Sequence, residues 1–194
     1  MLGLKYPLIL ASNSPRRQEL LSQMGFEFRI KTVHVDETYP ENLPVIEIPI
    51  FLALKKAKTL AENYKDNILL SADTIVAMND RILGKPSSEA EAKDMLISLS
   101  GSIHSVYTGV CIYVDKTFHT LIDRSDVTFS NLSNNEIDYY LQHYTPLDKA
   151  GAYGIQEWIG LIGIKKVHGS YFNVVGLPTE KVYSKFKDLK LIVN

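Results

Sequence analysis

The chain has 194 residues, of which 45% are hydrophobic and 22% are charged, and its formal net charge is -1. This composition is that of a globular protein with one sizeable core or two closely joined lobes, and it excludes a disordered chain. The balanced charge provides no global basic field, so nucleic acid is not an expected partner and an anion site must arise from local placement.

Cysteine usage and hydropathy bear on the compartment. Cys111 is the only cysteine and lies in the apolar stretch VYTGVCIYV, where a buried strand residue is expected. A single cysteine cannot form an intramolecular disulfide, which fits a reducing cytoplasm. The N-terminal apolar run is too short for a secretory signal and no run reaches membrane-spanning length, so we expect no membrane association.

The first predicted elements are a strand, a helix and a second strand. LILA at 8–11 is a continuous apolar run, typical of a strand covered on both faces. Ser14 suits the N-cap of the following helix, Pro15 its first position, and Gly25 its end. FRIKTVHV at 28–35 predicts the second strand.

The middle of the chain alternates helices and strands. We predict a helix over 48–63 with Pro49 in its first turn, a strand over 68–78, a turn at 79–81 and a helix from the Ser88–Glu91 capping box to Gly101. The residues expected on the inward face of the first of these helices are Ile50, Phe51, Leu54, Ala57 and Leu60.

The last third of the chain is richer in β patterns. Two long segments joined at Asp115-Lys116 predict a hairpin, and Ser133–Glu136 is a second capping box. WIGLIGI at 158–164 and SYFNVV at 170–175 read as strands, and a last helix begins at Thr179. The order of elements predicts an α/β fold with a mixed sheet.

The loop after the first strand is a candidate anion site. Ser12 and Ser14 offer hydroxyls beside the N–H groups of a helix N-terminus. Arg16 and Arg17 occupy the first turn of that helix, where the helix dipole disfavours cations, so an anion is expected beside them. The alternative is that both arginines are solvated helix residues.

Two acidic side chains lie where strands end or inside an apolar strand. Glu37 follows the second strand, and Asp73 lies within LLSADTIVAM, where a buried charge needs a partner. If the two converge, their oxygens could hold Mg²⁺ or Mn²⁺ beside phosphates, and one could deprotonate a water. The alternative is a strand-end acid that faces water.

Lysines form a third group of candidates, each of which could equally be a solvated surface residue. They are Lys56 in LKKAKTLA, Lys85 in LGKP and Lys149 in LDKAG. Cleavage of a polyphosphate requires arginine, lysine and carboxylate together. The sequence contains neither the GxxxxGK[ST] loop nor GxGxxG, which excludes the common phosphate-loop and dinucleotide-binding classes.

Eight blocks of the sequence carry a family pattern: LILASNSPRRQELL, VDE, KKA, SADTIV, GKP, LSGSIHSVYTG, LDKAGAYGIQ and GSYFNVVGLP. In order and approximate spacing they resemble the Maf-like nucleoside triphosphate pyrophosphatases, from about residue 8 to about residue 186. The resemblance implies a single Maf-like domain over residues 1–194. It implies an α/β fold with an elongated mixed sheet flanked by helices, in two lobes around a cleft, like the inosine-triphosphate pyrophosphatases.

The same resemblance implies an activity and its residues. Such proteins are generally dimers and hydrolyse a nucleoside triphosphate between the α- and β-phosphates with a divalent cation. Asp73 matches the proton acceptor, and the phosphate-contacting positions are Ser12, Arg16 and Arg17. Glu37, Lys56 and Lys85 match the acidic and basic positions of the catalytic cleft.

Three positions indicate the substrate branch. Arg16, Thr74 and Gln156 match the dTTP/UTP branch of the family. The Gln156 amide can donate and accept hydrogen bonds, which suits the edge of uracil or thymine. The alternatives are a pyrophosphatase for 7-methyl-GTP or other modified nucleotides, and a nucleotide-binding regulator of septum formation.

Overall fold

The computed structural model describes residues 2–32, 34–79 and 81–193. Its strands are β1 (Gly3–Leu4), β2 (Leu8–Leu10), β3 (Phe28–Ile30), β4 (Ile68–Met78), β5 (Arg81–Leu83), β6 (Ile103–Val114), β7 (Thr117–Phe129), β8 (Ile164–His168) and β9 (Ile192–Val193). Its α-helices are α1 (Pro15–Gln23), α2 (Ile48–Ala61), α3 (Glu89–Leu99), α4 (Asn134–His143), α5 (Trp158–Gly163), α6 (Tyr171–Val175) and α7 (Thr179–Asp188). Short 3-10 helices cover Val45–Glu47, Pro146–Asp148 and Ala150–Ala152.

Within the described part of the chain, the main sheet is mixed and has seven strands. Its path runs β3-β2-β4-β6-β7-β8, and β5 pairs with β4 off this path. Strand β2 runs parallel to both β3 and β4, whereas β5 is antiparallel to β4 and β8 is antiparallel to β7. Strands β1 and β9 form a separate antiparallel pair. The predicted α/β fold with a mixed sheet and helices is therefore confirmed.

The chain divides into two compact units, each built from separate stretches of sequence. The first unit contains Met1–Asp73, Thr108–Asp123 and Gly176–Asn194; the second contains Thr74–Tyr107 and Arg124–Val175. The single domain over residues 1–194 and the cleft between two lobes stay predictions. Among the described residues, none of the helices combines the length and the hydropathy needed to cross a bilayer.

The core of the first unit lies between the sheet and α2. Ile9 pairs with Leu69 in the parallel ladder of β2 and β4, and both side chains are buried. Ala53 and Ala57 of α2 pack against Cys111 of β6. Small side chains at these helix positions let the backbone approach the sheet closely. Burial also raises the pKa of the Cys111 thiol to about 12, so this cysteine is the expected inert core residue.

The inward face of α2 is only partly the predicted one. The helix and Pro49 in its first turn are confirmed, and the fully buried positions are Ile48, Pro49, Leu52, Ala53, Ala57 and Ala61. The larger side chains expected inward, Ile50, Phe51, Leu54 and Leu60, are half-buried. The helix is apolar around most of its circumference, so periodicity alone does not identify the side that faces the sheet.

The second predicted strand is much shorter than 28–35. Among the described residues of this stretch, only Phe28–Ile30 form a strand, because β3 is the last strand on the described path of the sheet and its partner β2 is itself three residues long. Val33 of the predicted strand lies outside the described residues, as does Asp80 of the predicted turn at 79–81. On either side of that turn, Met78 of β4 and Arg81 of β5 are paired, so the two strands run antiparallel as a turn there requires.

The long hairpin is confirmed. Strands β6 and β7 are neighbours in the sheet, and Asp115 and Lys116 connect them. Their φ angles of 47° and 61° are the left-handed values that a two-residue turn needs when it follows the twist of its strands.

Two helices of the second unit begin at serine caps. Ser133 and Glu136 form the complete predicted capping box of α4. At α3, Ser88 accepts the Glu91 N–H at 3.2 Å, but the Glu91 carboxylate accepts from Ser87 instead of returning to the cap. Both helices start where the sequence predicts, but the Ser88–Glu91 box is only half formed.

The strands predicted at WIGLIGI and SYFNVV are wrong. These stretches form the helices α5 and α6, and the strand lies between them as β8, paired with β7. A short apolar run fits a buried strand or a buried helix equally well, and only tertiary contact decides. Here Gly160 lies so close to Ile155 that an added Cβ would overlap the Ile155 carbonyl. This close backbone contact packs the α5 helix against the preceding turn.

Candidate active site

The loop before α1 is organised by Ser12. Ser14 occupies the N-cap position and Pro15 the first helical position, as predicted. The Ser14 N–H donates to Ser12 Oγ at 3.2 Å, which folds the loop over the start of the helix. Asn13 is also held, since its Oδ1 accepts from Thr32 Oγ1 at 2.9 Å. The hydroxyl and helix N–H groups expected of an anion site are thus gathered at one helix end.

Arg17 is fixed within the first unit. Its Nε donates to the Gly176 carbonyl at 2.8 Å, and its Nη1 lies 3.3 Å from Ser12 Oγ. The pKa of the Arg17 guanidinium is lowered, chiefly by burial and to a smaller extent by the neighbouring charge of Arg16. The negative charges of Asp73 and Glu37 oppose this and raise the pKa in part. This guanidinium is therefore partly desolvated and lies within electrostatic reach of both candidate carboxylates.

The two carboxylates share one cation. Lys56 Nζ lies 2.5 Å from Asp73 Oδ1 and 3.0 Å from Glu37 Oε1. The side chains of Lys56 and Asp73 are each only 12% exposed, whereas that of Glu37 is 49% exposed. Asp73, which the sequence places inside an apolar strand, thus has the charged partner that its burial requires.

A second contact holds α2 in place against β4. The buried Ser71 hydroxyl donates to the Ala53 carbonyl of α2 at 2.7 Å. Ser71 and Asp73 are two residues apart in the strand and so share a face, while Ala53 and Lys56 are three apart on the helix. The same helix face is therefore tied to the same strand face twice, which fixes where the Lys56 ammonium lies.

The donor set at this position fits a hard divalent cation. Glu37 and Asp73 already converge on one cationic nitrogen, and their oxygens are the ligands that Mg²⁺ and Mn²⁺ prefer. Within the described ranges, no group of three or more His, Cys, Asp or Glu side chains is arranged to hold a metal. Two carboxylates are nonetheless enough for Mg²⁺, which commonly takes its remaining ligands from water and substrate phosphates.

The structure brings most of the predicted site residues together in the first unit. Those residues are Ser12, Ser14, Arg16, Arg17, Glu37, Lys56 and Asp73. Three others belong to the second unit: Thr74 is half-buried on β4, Lys85 is exposed just after β5, and Gln156 is exposed just before α5.

Sequence reasoning missed a buried polar cluster beside Gln156. The Tyr140 hydroxyl donates to Glu157, and Glu157 Oε1 lies 3.1 Å from Lys149 Nζ. Lys149 was a candidate on sequence, but Tyr140 reads as an apolar residue of α4 and Glu157 as a solvated acid. The one available signal was an acidic residue directly beside a predicted specificity residue.

Fold and site together define a class of protein. It is an α/β protein whose first unit contains a helix N-terminus, arginine, lysine and two carboxylates, the groups that binding of a polyphosphate requires. The family model described as Maf-like protein matches residues 7–189, and the chain belongs to this family.

Curated relatives match nearly the whole chain. A dTTP/UTP pyrophosphatase from Phocaeicola vulgatus is 48% identical over 95% of this chain and 97% of its own length. A dTTP/UTP pyrophosphatase from Bacteroides thetaiotaomicron is 46% identical with the same coverage. Among solved structures, a HAM1 protein from Coxiella burnetii matches with a TM-score of 0.51 at 13% identity, over 94% of this chain and 99% of that one. This last likeness shows a shared fold.

Proposed function

We propose that the chain is a nucleoside triphosphate pyrophosphatase, a hydrolase that converts dTTP and UTP to the monophosphate and pyrophosphate. The observation that carries this proposal is the Lys56 ammonium held between the carboxylates of Glu37 and Asp73. The name dTTP/UTP pyrophosphatase, borne by relatives that match 95% of this chain, supports the activity and the substrates.

The reaction adds water across one anhydride bond. The water oxygen forms a bond to the α-phosphorus, and the bond from that phosphorus to the oxygen bridging the α- and β-phosphates breaks. Pyrophosphate leaves with the electron pair of the broken bond. Asp73 accepts the proton that the water loses, and its burial beside Lys56 keeps competing solvent away.

Cationic and N–H groups bind the phosphates. Arg17, with Ser12 and the first N–H groups of α1, holds phosphoryl oxygens, and Arg16 lies in the same helix turn. Lys56 and Lys85 offset the charge that develops as the bond breaks.

We propose Mg²⁺ or Mn²⁺ as the cofactor. Glu37 and Asp73 would hold it, since their carboxylates converge on a single cationic position. When bound, such a cation neutralises phosphoryl oxygens and stabilises the leaving pyrophosphate.

Base recognition is assigned to Arg16, Thr74 and Gln156. Gln156 is the exposed residue at the end of the buried stretch 151–155, so its amide is available to a ligand. A neutral amide can pair with the adjacent carbonyl and N–H of uracil or thymine.

A nucleotide panel tests the proposal. With Mg²⁺ or Mn²⁺, we expect pyrophosphate release from dTTP and UTP with kcat/KM about tenfold or more above that for 7-methyl-GTP and ITP. Release that is greatest from 7-methyl-GTP or ITP, with little from dTTP or UTP, would contradict the assigned substrates.

In the same assay, Asp73→Asn should lose about 10²-fold or more in kcat while still binding nucleotide, and near-normal turnover would remove Asp73 from the role of base.

The remaining expectations concern assembly and location. A homodimer stays a proposal that rests on the family resemblance. A cytoplasmic location rests on the single cysteine, and the lack of a nucleic-acid partner rests on the balanced charge; both also stay proposals. Exposed apolar side chains in the second unit support a protein contact there, among them Leu161 at 80% exposure and Phe172 at 45%. Light scattering on the purified chain measures the assembly directly.

A further inference from the structure

The residue assigned to base recognition lies at the corner of a tight turn. The Glu157 N–H donates to the Gly154 carbonyl at 3.0 Å, so Ile155 and Gln156 are the two central residues of a β-turn. Residues 151–155 are all buried, whereas Gln156 is exposed. The turn therefore presents one amide from an otherwise buried stretch of chain.

One hydroxyl joins both ends of this turn. The Tyr140 oxygen accepts from the Gly154 N–H at 3.1 Å and donates to Glu157 Oε2 in a short hydrogen bond. Tyr140 is fully buried on α4, and burial raises the pKa of its hydroxyl, so the proton stays on the oxygen. The first and last residues of the turn are thus fixed to the same atom.

Lys149 completes the network of Tyr140, Lys149 and Glu157. Its Nζ lies 3.1 Å from Glu157 Oε1 and donates to the Thr145 carbonyl at 2.6 Å and to Asp148 Oδ1 at 2.8 Å. The Lys149 side chain is only 8% exposed. This lysine is therefore committed to holding Glu157 and is not positioned as a phosphate ligand.

The turn also packs tightly against itself. A Cβ added to Gly154 would lie 2.8 Å from Glu157 Cδ, so the carboxylate folds back onto the glycine backbone. A side chain that is hydrogen-bonded by one partner, ion-paired with another and packed on a third has a single orientation. Because Gln156 is bonded to Glu157 within the same turn, the fixed position of Glu157 also restricts the backbone of Gln156.

We propose that the network of Tyr140, Lys149 and Glu157 is a positioning device that orients Gln156 for reading the pyrimidine base. This inference rests on the proposed function, in which Gln156 contacts the base. An amide discriminates between bases only where its donor and acceptor are held in place, because a mobile amide adapts to either hydrogen-bonding pattern. Loss of the network should therefore weaken base discrimination, whereas the bond-breaking groups Glu37, Lys56 and Asp73 are untouched.

Tyr140→Phe tests the proposal because it removes the shared hydroxyl and keeps the ring. UTP and CTP are the probes, since they differ only in the hydrogen-bonding edge of the base. We expect the KM for UTP to rise about tenfold, kcat to stay within about twofold, and the preference for UTP over CTP in kcat/KM to fall about tenfold. Tyr139→Phe, on the same helix with a half-exposed ring, is the matched control and should change none of these values.

A double variant separates positioning from general destabilisation. In Gln156→Ala protein, the further change Tyr140→Phe should leave the UTP-to-CTP ratio unchanged, because the residue that it positions is already gone. A merely structural role would lower activity toward both nucleotides by the same factor in both backgrounds.

Glu157→Gln is a second test of the network in case the Tyr140→Phe protein does not fold. It keeps the shape of the side chain and removes the ion pair with Lys149. Trp158, the only tryptophan in the sequence, adjoins Glu157, and its fluorescence measures UMP and CMP binding without turnover. A UTP-to-CTP ratio that is unchanged in every folded network variant overturns the proposal, as does an equal loss of kcat for both nucleotides. Wild-type protein with no preference for UTP over CTP would instead overturn the proposed base specificity itself.

Discussion

Lys56 is the residue on which the candidate site depends most. Its ammonium lies between Glu37 and Asp73, at the place where a divalent cation would sit if it were held by both carboxylates. A buried ammonium there is paired with both carboxylates and offsets part of their negative charge. If Glu37 and Asp73 hold the proposed cation, Lys56 would compete with a cation that binds alone, whereas the phosphate oxygens of a bound triphosphate would give the Lys56 ammonium another partner.

We therefore expect Mn²⁺ to bind weakly without nucleotide and to bind roughly tenfold more tightly to Lys56→Met protein, because the competing charge is removed. Titration calorimetry or Mn²⁺ electron spin resonance without nucleotide measures this directly. Lys58→Met, an exposed lysine on the same helix, is the control. Equal or weaker Mn²⁺ binding by Lys56→Met would contradict a shared cation position.

At the residue scale, most of the first-unit site follows from the sequence. Asp73 in an apolar strand and Arg17 at a helix start are local anomalies, and each has a charged or polar partner in the structure. Tyr140 and Glu157 carry no such anomaly. Tyr140 occupies an apolar helix position, and its hydrogen bond spans seventeen residues, so only the folded chain reveals it.

At the scale of elements, the seating of α2 on the sheet sets the position of Lys56. Gly109 of β6 lies so close to the start of α2 that an added Cβ would overlap the backbone of Pro49 and Ile50. Ser71 then ties the strand β4 to Ala53 in the middle of the same helix. The helix is thus held by a glycine at its start and a hydroxyl in its middle.

Gly109→Ala should lower the free energy of unfolding by about 1–3 kcal/mol, since backbone atoms must move to admit the methyl group. Urea denaturation measures the loss. Gly84→Ala is the matched control, because a Cβ there meets nothing within 4 Å. The two variants should differ clearly, and equal stabilities would show that the start of α2 is not closely packed.

At the scale of the whole molecule, a buried histidine links stability to pH. His104 is 2% exposed, and its Nε2 lies 2.7 Å from the Tyr153 hydroxyl. Burial lowers the pKa of His104 to about 4, and the charge of Asp126 only partly opposes this. The folded chain therefore holds the neutral imidazole where the unfolded chain, with an ordinary pKa near 6.5, takes up a proton.

The consequence is a loss of stability on acidification. Above about pH 6.5 the histidine is neutral in both states, and between about 6.5 and 4 only the unfolded state gains a proton, so up to about 3 kcal/mol is lost. His104→Gln removes the titrating group and should flatten the curve of unfolding free energy across this window. Denaturation midpoints from pH 7.5 to 4.5 measure it, and parallel curves for the two proteins would contradict this assignment.

The sequence by itself determined what depends on neighbours along the chain. The cap at Ser133, the helix start at Ser14-Pro15, the two-residue turn at Asp115-Lys116 and the length of β4 are set by local backbone preferences and hydrophobic runs. The family motifs likewise place Asp73 and Lys56 in the candidate site.

Only the tertiary structure decided what depends on contacts distant in sequence. The face of α2 that meets the sheet, the short β3, and the helices at Trp158–Gly163 and Tyr171–Val175 are set by the partner each segment finds. The network around Glu157 is of the same kind. Apolar runs record that a segment is buried, but burial is non-directional, and the geometry comes from close packing and hydrogen bonds between separate segments.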